Sequence, residues 1–266
     1  MADYKEYLDK IRNSQLLYFD SFPLDMTSCE YNVHLLLNKM AESRKSYLLL
    51  MDNERFSDAV LIAGHLLENA AVINYISASL QEANTKQISK YLAREMVQTL
   101  CDLFKFVGDD NVDAETQETI DFIMDDFKSR CDIVVLKKAK QTHEELVQVI
   151  SKATTNSEKF EIIKNNYELP VVEDYLRPLR TDLSKFYGFP DIDKKLVLFY
   201  SSYCKIKHCG AAMYAPILCE DKVVMNKSQY RDLSPIVVWM CLEYTEKNIK
   251  SILLKIKPEL GFTTKN

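Results

Sequence analysis

Apolar residues recur along most of this chain at the three- and four-residue spacing of an amphipathic helix. Tyr4, Tyr7, Leu8, Ile11 and Leu16 set that period over 3–19, and Pro23 closes the segment. Val33, Leu36, Leu37, Met40, Tyr47, Leu50 and Met51 set it again over 28–51. After a turn at Asp52-Asn53, the segment 54–80 is apolar on nearly every side, the mark of a helix at the centre of a bundle. A fourth helix over 86–107 stops at Gly108. Asp113 is placed to cap a helix starting at Ala114. Ile133-Val134-Val135-Leu136 is locally β-like, so that stretch reads either way. Thr155-Asn156-Ser157-Glu158 has the form of a capping box opening a helix to about Asn165. Pro170 opens a further segment, with a break expected near Arg177 because Pro178 suits a first helical turn. Gly188 and Pro190 end it. A helix over 191–208, a loop to Lys227 and a long helix over about 229–256 complete the pattern.

The fold class is therefore an all-α helical bundle. No internal repeat or flexible linker divides it. One domain over 1–266 is the expectation, with 109–165 the stretch open to being an appended helical hairpin.

Composition narrows the chemistry. Only 5 glycines and 7 prolines occur in 266 residues. Neither G-x-G-x-x-G nor a P-loop is present, and the glycines that a turn-rich β-fold needs are missing. The seven cysteines lack a C-x-x-C pair and a nearby pair of histidines, so they read as reduced thiols, with no metal and no cofactor expected. The first residues carry no basic-then-apolar leader, and charge-free stretches such as Asn69–Gln81 are too short for a bilayer, so the expectation is cytoplasmic with no membrane partner. Net charge is −5, unevenly spread. Eight carboxylates and no base lie between Asp109 and Asp126, whereas Lys194–Lys257 holds eleven Lys/Arg against five Asp/Glu.

Few residues are placed for chemistry. His34 and His143 read as structural or surface residues. His65 and Glu68 interrupt the apolar central helix and share a face at i, i+3. Gly64 beside them is unfavourable in mid-helix unless another group approaches closely. Tyr200, Cys204 and His208 recur at i, i+4, i+8, before Gly210 ends the helix, with Lys205 and Lys207 read as off that stripe. A Cys204/His208 nucleophile pair lacks any oxyanion-hole signature. Both polar interruptions must be satisfied, so Glu68 is expected to face His208 with Tyr200 nearby.

Two blocks carry a resemblance. Ala59-Val60-Leu61-Ile62-Ala63-Gly64-His65-Leu66-Leu67-Glu68, followed by Ile73-Asn74-Tyr75-Ile76, is similar to a helix of the type A-x-x-L-x-R-S-L-x-E. Tyr200 to Gly210 is similar to Y-R-x-x-S-x-x-x-H-G, with Tyr200 and His208 matching as they stand. Together they resemble an all-helical bacterial family related to the HEPN superfamily (higher eukaryotes and prokaryotes nucleotide-binding). The resemblance implies an all-helical fold, a homodimer or partner protein, and a place in bacterial defence or stress response. Ribonuclease members act without metal through an arginine and a histidine. Here Ser201, Ser202 and Tyr203 stand where that arginine would, and Gly64 stands at the first block's arginine. In-line cleavage then lacks its electrostatic stabiliser. The expected function is a degenerate, non-catalytic member binding a partner protein or small anionic ligand. The alternatives are a metal-independent ribonuclease or toxin using His208, which implies a nucleic-acid partner, and a nucleotide-binding module.

Overall fold

A computed structural model of the chain describes residues 4–14, 28–81, 86–109, 113–129, 136–137, 141–188, 191–207, 216–219, 222–225 and 228–256. They form a predominantly helical protein. The elements are α1 (Tyr4–Arg12), α2 (Ser28–Asp52), α3 (Phe56–Gln81), α4 (Lys86–Val107), α5 (Ala114–Ser129), α6 (His143–Lys152), α7 (Asn156–Asn166), α8 (Val172–Tyr187), α9 (Ile192–Lys207), β1 (Pro216–Cys219), β2 (Lys222–Met225) and α10 (Ser228–Ile256). The chain divides into two compact units, one of Met1–Ala83 with Val172–Asn266 and the other of Asn84–Val171. The latter encloses the 109–165 stretch.

In the first unit α3 packs against α2, α8, α9 and α10. Ala59, Val60, Ala63, Leu66, Leu67, Ala70, Ala71, Ile73 and Ile76 of α3 are all buried. Alanines on several sides let four neighbouring helices come close to one axis. The helix window Phe56–Ser77, with only Asp58 and Glu68 charged, is long and apolar enough for a membrane span, although no charge-free stretch within it is. Counting only charge-free runs hid it. Yet 61% of that window is buried inside the fold, so packing against its neighbours already accounts for its apolar character. A buried Tyr47 hydroxyl meets Ser234 Oγ at 2.8 Å, joining α2 to α10.

Two prolines sit inside helices. Pro178 lies within α8, and the break expected near Arg177 does not occur. Proline forfeits one hydrogen bond and crowds the carbonyl four residues back. Buried Tyr175 and Leu176 before it, and Leu179 and Leu183 after it, hold the two halves on one core. Pro235 is likewise carried within α10. The stretch expected to be a loop before Lys227 contains an antiparallel hairpin, pairing Pro216 with Met225 and Cys219 with Lys222.

The second unit buries Val97, Leu100 and Phe104 of α4, Ile120, Met124 and Phe127 of α5, Leu146 and Ile150 of α6, and Ile163 and Tyr167 at the end of α7. Its helix ends are strongly signalled. Thr155 and Glu158 form the expected capping box, and Thr142 with Glu145 forms another that opens α6. Asp113 Oδ1 accepts from Thr116 N at 2.7 Å, as its capping position requires. Gly108 ends α4 with φ +65°, the left-handed region where a glycine avoids a Cβ clash. Of the β-like run, Leu136 forms one antiparallel bridge with Tyr167, and Ile133–Val135 lie outside the described residues.

His143 is not a surface residue. It is 5% exposed and spans the core. Its Nε2 lies 3.0 Å from the Phe127 carbonyl and its Nδ1 3.0 Å from the Tyr167 hydroxyl. A carbonyl only accepts, so the proton sits on Nε2 and Nδ1 accepts from tyrosine. Phe127 and Tyr167 stand edge-on to the imidazole, with centroids 4.9 and 5.7 Å away. His34 is buried too, on α2.

Candidate functional site

The site forms where α3 meets α9, both in the first unit. α3 contributes Gly64, His65 and Glu68, within one turn. α9 contributes Tyr200, Tyr203, Cys204 and Lys207. At about 100° per residue, steps of three and four residues return close to a full turn and keep 200, 203 and 207 on one side of α9.

Gly64 explains how the helices come so close. A Cβ there would fall onto Cγ, Cδ2 and Cε2 of the Tyr203 ring. Tyr203 is fully buried, lying across the bare backbone at Gly64. That position carries its hydroxyl to Glu68, where it donates to Oε2 at 3.0 Å. Tyr200 donates to Oε1 at 3.5 Å. Lys207 Nζ is 3.7 Å from Oε1, and His65 Nδ1 is 3.5 Å from Oε2. The Glu68 side chain is 19% exposed, against 48% for His65 and 44% for Lys207. A carboxylate in a largely apolar helix is thus satisfied on both oxygens, with the Lys207 ammonium and the His65 ring at its solvent edge.

The rings continue the pattern. Lys207 Nζ lies 5.4 Å from the Tyr203 centroid, and the His65 ring stands edge-on to Tyr203 at 5.8 Å. Since the Tyr203 proton goes to Glu68, its oxygen is left to accept from His65 Nδ1–H, 3.5 Å away. Cys204 is a partly exposed free thiol one helical turn beyond Tyr200.

Burial raises the phenol pKa of both tyrosines. Cys204 and Glu68 push Tyr200 further up, and the Glu68 charge does the same to Tyr203. A raised pKa in the folded state favours the protonated phenol. The resulting stability is complete below the ordinary tyrosine value of about 10 and is lost as pH climbs beyond it. Tyr47 and Tyr187 are raised by burial in the same direction. The expected result is a steep fall in melting temperature above about pH 10, with phenolate absorbance appearing together with unfolding. Titration of all 15 tyrosines near their ordinary value, with helicity intact, would contradict it.

Of the residues singled out in the sequence, the structure brings together His65, Glu68, Tyr200 and Cys204. His208 lies outside the described residues, as does Gly210, so the expected Glu68–His208 pairing does too. Lys207, read as off the 200/204/208 stripe, is brought to Glu68 together with Tyr200 and Tyr203. Tyr203 was missed as a site residue. The signal that points to it is Gly64, a glycine in mid-helix waiting for a large partner.

A separate polar cluster binds α3, α8 and α10 together. Asn74 Nδ2 donates to Asp182 Oδ2 at 3.1 Å, while its Oδ1 accepts from Tyr244 at 3.2 Å and Asn248 at 3.3 Å. Burial, then the Asp182 charge, pushes the Tyr244 phenol up to about 12. With its amide paired on both sides, this cluster fastens helices. Among the described residues no group of three or more His, Cys, Asp or Glu side chains is arranged to hold a metal ion. No protein-family model, curated protein or solved structure matches the chain.

Proposed function

We propose that this chain is a HEPN-like helical protein that binds and does not cleave, and that its ligand is a small anion met at the solvent edge of the Glu68 site. One observation carries this reading. Glu68 is held from within by Tyr200 and Tyr203, while Lys207 and His65, each about half exposed, rest on the same carboxylate from two different helices. Glu68 acts as a post that gathers these two side chains at the solvent edge of the site. Its oxygens are already occupied, so it is poorly placed to take a proton from a substrate. The setting in bacterial defence or stress response rests on the resemblance of the two sequence blocks to the HEPN-related family.

The test is a set of thermal melts with mononucleotides and inorganic phosphate. Ligand at about a hundredfold excess over Kd raises the stability by about 2.7 kcal/mol, a shift of several degrees in a protein of this size. The rise is expected in the wild type and absent in a His65→Ala/Lys207→Ala variant, whose exposed positions leave the unliganded melt unchanged. No shift with any of these anions, or the same shift in the variant, contradicts the reading. RNA cleavage that disappears in His208→Ala would replace it with the ribonuclease alternative.

A further inference from the structure

A second anion-binding feature lies on α8. Arg177, Arg180, Thr181, Ser184 and Lys185 recur at helical spacing on one face and, with Asp193 at the start of α9, line a groove of about 520 Å³. Three cations face one carboxylate there.

The three cations are not equivalent. Arg180 is 16% exposed and clamped, with Nη2 2.8 Å from Glu173 Oε1 and Nε 3.1 Å from Asp193 Oδ1. It is a fixed, charge-balanced wall. Arg177 is 75% exposed and only 3.9 Å from the Glu173 carboxylate it shares with Arg180. Lys185 is exposed and has no ion-pair partner among the described residues. Arg177, Arg180 and Lys185 against Glu173 and Asp193 leave one positive charge in excess.

Ser184 supplies an independent sign. Its Oγ is shielded from solvent and has no hydrogen-bond partner among the described residues. The usual outlet for a helical serine is the carbonyl four residues back, which Ser184 does not use, whereas Thr181 takes that outlet at 3.1 Å to Arg177 O. An unpaired buried hydroxyl is unfavourable, and one χ1 step turns it toward another acceptor.

We infer that this groove receives the phosphate group of a phosphorylated small molecule. The Arg177 fork and the Lys185 ammonium supply the charge, Ser184 donates its idle proton, and the remaining volume takes the body of the molecule. A groove of this size falls in the range of small-molecule pockets, which a bare phosphate does not fill. The inference is independent of the Glu68 site.

Calorimetric titration with ribose 5-phosphate, with ribose as the uncharged control, tests it. The phosphorylated sugar is expected to bind and ribose to give no heat. Arg177→Ala/Lys185→Ala is expected to weaken binding by about tenfold or more, as loss of a charged phosphate fork implies. Both side chains are exposed, so an unchanged melt of that variant shows the fold is retained. Ser184→Ala is expected to weaken binding severalfold. Equal binding in the double variant, or no heat at millimolar sugar phosphate, overturns the inference. So does binding that survives the α8 variant but vanishes in His65→Ala/Lys207→Ala, a result that would move the ligand to the Glu68 site and support that reading instead.

Discussion

Gly64→Ala is expected to destabilise the protein by about 3 kcal/mol or more, in spite of alanine's better helix propensity. Propensity alone favours the variant by about 1 kcal/mol. Against that, the new Cβ lands on the root of the Tyr203 ring, at Cγ and Cδ2, where no terminal rotation relieves it. Tyr203 is fully buried, so the ring has no void to enter. Either α9 moves away from α3, or the ring leaves and its 3.0 Å bond to Glu68 goes with it. Overpacking costs of about 1–3 kcal/mol, combined with loss of the part-buried Tyr203–Glu68 hydrogen bond, set the magnitude. Chemical denaturation should show a lower midpoint at unchanged slope. A double-mutant cycle with Tyr203→Leu isolates the contact, because Gly64→Ala should cost much less once the ring is gone. An unchanged or raised midpoint in Gly64→Ala alone sinks the close approach and, with it, the explanation of this glycine.

His143→Ala should be as severe in the other unit. The imidazole is the common partner of a buried carbonyl and a buried hydroxyl, both at 3.0 Å. Removing it orphans two polar groups at about 1–3 kcal/mol each and leaves a cavity beside Phe127 and Tyr167. A total of about 3–5 kcal/mol follows. His143→Phe fills the cavity without restoring either hydrogen bond, so it should fall between wild type and alanine. Amide exchange in α5, α6 and α7 reads the effect locally. A loss below about 1 kcal/mol in His143→Ala would show the buried bridge to be idle.

These two residues also show where the sequence was legible. The helices followed from apolar spacing, and the Thr155–Glu158 box from local chemistry that needs no tertiary partner. Gly64 announced a close neighbour but not which one, since nothing in α3 names the ring that will cross it. Pairing Tyr200 with Glu68 was within reach because each interrupts an apolar face. Lys207 was set aside because a strict four-residue stripe drifts by about 40° per step away from the helical period. His143 read as structural or surface because it lies in a polar run before Glu144 and Glu145. The capping box at Thr142 turns those neighbours outward and the histidine inward. Pro178 misled for a related reason: the local cost of a proline was visible, while the core contacts that outweigh it were not.

The first unit is completed by chain on both sides of the second, and this bears on how the protein is made. α3 is the most apolar helix and leaves the ribosome well before its partners α8, α9 and α10, since residues 82–171 lie between Gln81 and Val172. At about 5–20 residues per second, those ninety positions take roughly 5–18 s to synthesise. During that interval α2 is the sole long partner available to α3, and the surface later covered by α8–α10 faces water. A nascent chain arrested near Val171 is therefore expected to recruit apolar-binding chaperones, and one extended through α10 to release them.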